Sequence, residues 1–425
     1  MPMALNLTIR KRRLFQAAML VAAYLLLELA SLALLTWRGG DLAGQRTAAA
    51  QRDPAAPGGA LKRSVMIHPY IGLVYQPREP AGTETGGQLR FNEYGFLDAR
   101  APLRKRSPER LIVALMGGSV ARQLGTNATD QLARELELIS PFQGRSIEFV
   151  RLAIDGNKQP QQVMTLNYLL ALGAEFDLVI NLDGVNEIAL PGIDNVPLGV
   201  SAAYPRKWSA MTAAAASPEM ASLAGSVTYL RTVQRDAARW FDAPPWRHSP
   251  TATLVWAARH ARLDRQIIEQ MQRLLDRSQE ELSYCSAGPP ETYASDAELL
   301  AHCAQVWERS SLLLHQLCQA NGIRYFHFLQ PNQHLPDSKP MGRSEAATAL
   351  NDASPFARPV REGYPLLQAK GQRLVEQGVA FADLTRIFSE HPEPIYRDDC
   401  CHVNQAGDEI LATQIAARIK RWCDE

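Results

Sequence analysis

The sequence predicts an α/β domain with three layers, α/β/α, around a five-stranded parallel sheet, carried behind an N-terminal membrane-spanning helix. Five short apolar runs of strand type recur along the chain: Leu111–Met116, Ile147–Ile154, Phe176–Leu182, Ile323–Leu329 and Val379–Leu384. Segments with helical spacing lie between them, among them Asp130–Ile139 and Gln161–Leu172. Near-continuous apolar strands alternating with helices imply a parallel sheet covered on both faces. The third observation is Leu14–Trp37, apolar apart from a few small or polar residues and Glu28.

At ~1.5 Å per helical residue, residues 14–37 are long enough to cross a ~30 Å hydrocarbon core. A cleaved secretory signal has a shorter apolar region followed by a small-residue cleavage site, so the segment reads as a retained anchor. Arg10-Lys11-Arg12-Arg13 precedes it. That cluster keeps residues 1–13 cytoplasmic and places everything after Trp37 across the membrane. In a bacterial cell this is a single-pass inner-membrane protein with a periplasmic domain. Glu28, an ionisable residue inside the span, either has a specific role or meets a partner helix or water.

Residues 38–63 are rich in Ala, Gly, Gln and Asp, include Pro54 and Pro57, and read as a flexible linker. A domain over 64–425 follows, opening with an irregular β-rich collar at 64–100. The connection over 189–321 is far too long for an ordinary crossover. Its periodic runs, Leu254–Leu275 and Ala297–Leu317, predict a helical insertion, with Ala210–Gly225 read as helix or flexible lid.

Across 425 residues the formal net charge is +1, so no global field favours nucleic acid, and no such partner is expected. The six cysteines lack the paired spacing of a zinc site. In an exported domain they are expected to form disulfides, with Cys285–Cys303 and Cys400 or Cys401 with Cys423 as reasonable pairs. The adjacent Cys400 and Cys401 cannot bridge to each other without strain. No phosphate-binding loop or dinucleotide fingerprint follows a strand, and neither a metal nor a cofactor is expected.

The first strand runs out as "LIVALMGGSV", two glycines and Ser119. Ligands of parallel α/β sheets bind beyond the carboxyl ends of the strands, where Ser119 sits. A serine opening a helix also serves as an N-cap. Three further stretches bear on the choice. The second strand leads to Gly156 in "AIDGNKQPQQ", the third to Asn186 in "NLDGVNEI", and "YRDDCCHVNQAGDE" sets Asp399 three residues before His402. A catalytic serine needs a base, an acid to orient that base, and donors for the developing oxyanion.

On these blocks the sequence resembles the SGNH hydrolase superfamily, or GDSL esterases, over roughly 111–187 and 323–422. The resemblance implies a flavodoxin-like SGNH fold, Ser119 as nucleophile, His402 as base and Asp399 as its orienting acid. The oxyanion hole would comprise the backbone N–H groups of Ser119 and Gly156 and the Asn186 amide. Asp398, four residues before His402, is the alternative acid, and its offset fits the family's Asp-x-x-His less well. Two departures stand out: the first block reads Gly-Gly-Ser rather than Gly-Asp-Ser, and the third Gly-Val-Asn-Glu rather than Gly-x-Asn-Asp. Glu187 keeps the charge of that aspartate on a longer side chain. Position 121 is Ala, so the G-x-S-x-G nucleophile elbow is not matched.

His327, inside the fourth strand, reads as a hydrogen-bonded core histidine. Gln330 and Asn332 follow that strand into the active edge, where they touch substrate or serve as loop polarity. The sequence thus points to a membrane-anchored serine esterase whose resemblance implies O-acetyl groups on envelope or secreted polysaccharide as substrate. Two rivals use the same chain: a polysaccharide O-acetyltransferase with the same triad, or an inactive glycan-binding component of an envelope polysaccharide assembly.

Overall fold

The computed structural model of the chain describes residues 2–39, 41–51, 65–77, 90–212, 218–280 and 283–424. From the N-terminus, helices α1 (Pro2–Arg38) and α2 (Leu42–Gln51) precede an antiparallel hairpin of β1 (Val65–His68) and β2 (Gly72–Tyr75). Next come β3 (Arg110–Gly117), α3 (Ser119–Asn127), α4 (Thr129–Glu137), β4 (Ser146–Arg151), α5 (Gln161–Ala171), β5 (Leu178–Asp183) and α6 (Val185–Leu190). The long connection holds α7 (Trp208–Thr212), α8 (Pro218–Asp242), α9 (Pro250–Glu280), α10 (Tyr284–Ala287) and α11 (Asp296–Ala320). β6 (Arg324–Leu329), α12 (Arg343–Ala349), α13 (Ala357–Glu376), β7 (Ala380–Asp383) and α14 (Gln405–Asp424) come last.

The chain divides into two compact units, 1–63 with 213–281, and 64–212 with 282–425. In the larger unit all strand pairs of the five-stranded sheet are parallel, in the order β4-β3-β5-β6-β7. This is the 2-1-3-4-5 order of flavodoxin-like sheets, in which the direction of winding reverses at the first strand and opens a crevice at the carboxyl edge. The central strands explain their own sequences. β5 is buried at every position and β3 at all but its first, whereas the edge strands β4 and β7 are only partly covered. Only strands covered on both faces need to be apolar throughout.

The last helix is fixed by its own sequence. Asn404 Oδ1 accepts the Gly407 N–H at 3.0 Å and caps α14, whose Leu411, Ile415 and Ile419 are fully buried. Trp422 stacks on Phe326 of β6, with centroids 5.4 Å apart. Helix and sheet therefore hold the segment before α14 from both ends.

Two expectations about domain limits are corrected. The segment read as a flexible linker contains α2, whose Arg46 is buried, donating to Thr253 Oγ1 at 2.7 Å and to the Arg247 carbonyl at 2.7 Å. An Ala-rich helix face that packs on a neighbour resembles tether composition when read alone; residues 52–63 lie outside the described residues. The expected insertion, 189–321, is also too wide. α11 belongs to the sheet unit, because Trp307 donates to Asp183 Oδ1 at 2.7 Å and Ser311 Oγ lies 2.7 Å from His327 Nδ1. Of the long connection only α8 and α9 fall in the other unit; of 210–225, read as helix or flexible lid, residues 210–212 and 218–225 are helical, and 213–217 lie outside the described residues.

The collar is short and aromatic: Tyr75 at the end of β2 stacks on Phe91 at 4.3 Å, and residues 78–89 lie outside the described residues. The expected disulfides are not formed, and all six cysteines are free. Cys303 is buried on α11 while Cys285 is exposed. Cys400 and Cys401 turn their sulfurs toward one another at 2.9 Å rather than toward Cys423.

Candidate active site

Ser119 is the first residue of α3, directly after β3, and its hydroxyl does not cap that helix. Gly118 holds the capping position and no side chain caps. Ser119 Oγ instead lies 2.8 Å from His402 Nε2. The two preceding glycines are explained by what surrounds them. Gly117 has a φ of +140°, and a Cβ there would strike the Leu182 carbonyl of β5. A Cβ on Gly118 would strike the Asn186 amide nitrogen and come within 3.3 Å of the Asn157 carbonyl. Gly-Asp-Ser cannot be accommodated here without moving Asn186, which accounts for the Gly-Gly-Ser of this chain.

The same contacts show that the loops after β3, β4 and β5 converge. Asn186 Nδ2 donates to the Asn157 carbonyl at 2.8 Å, tying the third loop to the second. Gly156 has a φ of +73° and lies against Arg206, which pairs with Asp194 at 2.6 Å. The collar braces this loop, since the Asp155 N–H donates to Tyr75 Oη at 2.9 Å. Replacing Gly118 by Ala is expected to displace the Asn186 amide and lower kcat by about 10²–10³-fold with little change in KM, the loss typical of one oxyanion donor. Steady-state kinetics on a chromogenic acetate ester would measure it.

The carboxylate that meets His402 is the principal correction. His402 Nδ1 bonds Asp398 Oδ2, not Asp399. The cause is local. Asp398 Oδ1 accepts the backbone N–H groups of Cys400, Cys401 and His402 at 3.0, 3.1 and 3.2 Å. A carboxylate that gathers three successive N–H groups curls the chain around itself and brings the residue four positions on, His402, back onto it. Asp399 is left on the outside of the curl, where its Oδ2 is 3.5 Å from Asn351 Nδ2 and its carbonyl is met by His334 Nε2 and Ser354 Oγ. Burial alone would raise the Asp398 carboxyl, but the His402 bond and charge and the N–H groups outweigh it and hold Asp398 well below the ordinary carboxylate range.

The loop after β6 grips this curl, a role that sequence reading did not assign. Asn332 Nδ2 donates to the Cys400 carbonyl at 2.8 Å, Gln333 Nε2 to the Asp398 carbonyl at 2.9 Å, and His334 Nε2 lies 2.7 Å from the Asp399 carbonyl. Asn332 is fully buried and its amide serves the Cys400 carbonyl, and Gln330 is buried as well. From the other side Glu345, paired with Lys339 at 2.7 Å, accepts the N–H groups of Ile395 and Tyr396, each at 2.8 Å. Asn332 and Gln333, in a loop with no helical or strand period, are legible in sequence as loop polarity only.

Beneath the site runs a buried polar chain. Asp183 Oδ1 lies 2.9 Å from His327 Nε2, and Oδ2 accepts from Asn181 at 2.9 Å and Gln159 at 3.2 Å. His327 is the core histidine that the sequence suggested. Glu187 accepts the Gly184 N–H at 2.8 Å and the Gln159 N–H at 3.1 Å, joining the start of α6 to the second loop. Burial, with the nearby Asp183 charge added, raises the Glu187 carboxyl well above its ordinary range. Cys400, Cys401 and His402 bring possible ligand atoms within 4.8 Å of one another, but both His402 nitrogens already face Asp398 and Ser119.

Asp408, on the first turn of α14, accepts from Asn127 Nδ2 at 2.7 Å, and burial pushes its carboxyl up to about 6 despite that bond. A carboxyl raised on folding keeps a proton that the unfolded chain has lost. Its contribution is therefore most favourable below about pH 4 and declines as pH rises through about 6. Asp408→Asn is expected to match the parent in denaturant unfolding at pH 4 and to exceed it at pH 7.5 by at most about 3 kcal/mol. Equal stability at both values would contradict this.

Comparison with protein-family models and with curated proteins returned no match. Among solved structures the chain is similar to an acetylxylan esterase from Geobacillus stearothermophilus, at 13% identity and a TM-score of 0.33, covering 75% of this chain and 96% of that one. It is also similar to the acetyl xylan esterase AlAXEase, at 11% identity and a TM-score of 0.33, covering 73% and 97%. The chemical reading rests on the geometry of Ser119, His402 and Asp398.

Proposed function

We propose that the chain is a membrane-anchored serine esterase. The observation that carries this reading is the continuous hydrogen-bonded line Asp398–His402–Ser119 at the carboxyl edge of the sheet. With Nδ1 held by an ionised carboxylate, the proton of a neutral His402 sits on Nδ1 and Nε2 is free to accept from the Ser119 hydroxyl. Ser119 Oγ attacks the ester carbonyl as its proton passes to Nε2. The tetrahedral oxyanion is received by the backbone N–H groups of Ser119 and Gly156 and by Asn186, whose amide has two hydrogens, one for Asn157 and one for the substrate. The imidazolium returns the proton to the departing alkoxide, and water, deprotonated by His402, then frees the acid from the acyl-enzyme.

The acyl group we assign is acetyl and the alcohol an envelope or secreted polysaccharide, following the superfamily resemblance of Ser119, Gly156, Asn186 and His402. The anchor is α1, with mean hydropathy 2.2 over a window of Lys11–Arg38 and its side chains largely exposed. The basic cluster at 10–13 supports a cytoplasmic N-terminus and a catalytic domain on the far side. The test is release of free acetate from an acetylated glycan by the full-length protein in detergent. Stoichiometric release supports hydrolysis; acetate appearing only on an added glycan acceptor would make the protein a transferase, and neither product would overturn the reading.

A further inference from the structure

Cys400 and Cys401 directly precede the histidine that meets Ser119, and neither thiol is used in the hydrolysis. Their sulfurs lie 2.9 Å apart, and a disulfide bond would need them about 0.9 Å nearer. Cys401 is buried and Cys400 only partly so. Hydrogen bonding to Cys400, with burial added, holds the Cys401 thiol well above its ordinary range, against a smaller pull from the Ser119 hydroxyl. Cys400 is therefore the thiol that a dissolved reagent meets first, and Cys401 the one beside the nucleophile.

The backbone decides what a bond between them would do. The Cys400–Cys401 peptide is trans, so its Cα atoms stand ~3.8 Å apart, less than the ~4.4–6.8 Å usual across a disulfide. A ring of neighbouring cysteines closes only by twisting the peptide inside it. Both polar groups of that peptide are engaged. Its carbonyl accepts from Asn332 Nδ2 at 2.8 Å, and its N–H donates to Asp398 Oδ1 at 3.1 Å. These two bonds belong to the clamp and the curl that bring His402 to Ser119. Twisting the peptide pulls against both of them, one residue before the imidazole. A bridge strained in this way is also readily reduced, so its closure is reversible.

We propose that Cys400 and Cys401 are a thiol–disulfide modification site whose closure draws His402 away from Ser119 and switches hydrolysis off. The inference rests on the reading of Ser119 and His402 as the catalytic pair. The oxidant is a low-molecular-weight disulfide. The Cys400 thiolate attacks one of its sulfurs and expels the other as a thiolate, leaving a mixed disulfide. Cys401 then attacks Cys400 Sγ and gives up its proton as the second reagent sulfur departs as a thiol. Two protein thiols become one disulfide, and one reagent disulfide becomes two thiols.

The test treats the full-length protein with dipyridyl disulfide, after Cys285→Ser and Cys423→Ser have removed the other accessible thiols. The tryptic peptide Asp398–Arg418, which carries both cysteines, is expected to be lighter by two hydrogen atoms and free of pyridylthiol. In the same sample kcat for an acetate ester is expected to fall about 10²-fold, the loss typical of a group displaced by ~1 Å, and to return with dithiothreitol. Cys400→Ser cannot close the ring and is expected to hold its own kcat under the oxidant. A ring that forms while kcat is unchanged, or a Cys400 that stops at the mixed disulfide, would overturn the switch and leave the catalytic reading intact. Reduced protein that takes no fluorophosphonate on Ser119 would overturn the catalytic reading and the switch with it.

Discussion

Ser119→Ala is expected to lower ester hydrolysis by at least about four orders of magnitude, leaving the folded state and glycan binding unchanged. A triad acts as a unit, so loss of the nucleophile removes nearly all of the rate that the three groups supply together. Packing is expected to survive because Ser119 Oγ does not cap α3; its partner is His402. The measurement is kcat/KM for an acetate ester beside a thermal unfolding curve. A variant that unfolds normally and keeps more than about a hundredth of the parent rate would show that the nucleophile lies elsewhere.

Exchanging the two adjacent aspartates for Asn is expected to give opposite results. Asp398→Asn should cost about three to four orders of magnitude in kcat, because an amide at that place favours the wrong imidazole tautomer. Asp399→Asn should stay within about threefold of the parent, since its carboxylate does not reach His402. The pH profile follows. Asp398 has its folded value depressed, so its contribution to stability is present above the ordinary range near 4 and is lost only as pH falls through the lower folded value. The acid limb of kcat/KM in the parent therefore does not arise from protonation of Asp398. Comparable losses in both variants would mean that the curl around Asp398, not one carboxylate, is what catalysis requires.

The parts of the fold that were legible are those where burial dictates composition. β3 and β5, covered on both faces, could only be apolar, and the periodic faces of α5 and α14 read directly as core. Of the candidate site, Ser119, Gly156, Asn186 and His402 were legible as an ordered set of blocks at successive loops, and the structure brings Ser119 and His402 within 2.8 Å of each other. What escaped was decided by backbone path. Asp398 and Asp399 are chemically identical, and only the capture of three N–H groups by Asp398 determines which of them meets the histidine. Asn332, Gln333 and His334 act on carbonyls some 65 residues away, a pairing with no local signature. α2 and α11 were misread for a related reason, because an Ala-rich face and a buried crossover helix are defined by what they pack against.

The central claim is that Ser119 is a nucleophile activated by His402. The most direct measurement is labelling of the full-length protein with a fluorophosphonate, followed by peptide mapping of the adduct. The geometry predicts one adduct, on Ser119, which is lost in His402→Ala and retained in Asp399→Asn. A folded protein that gives no adduct, or one that carries it on another serine, would contradict the assignment.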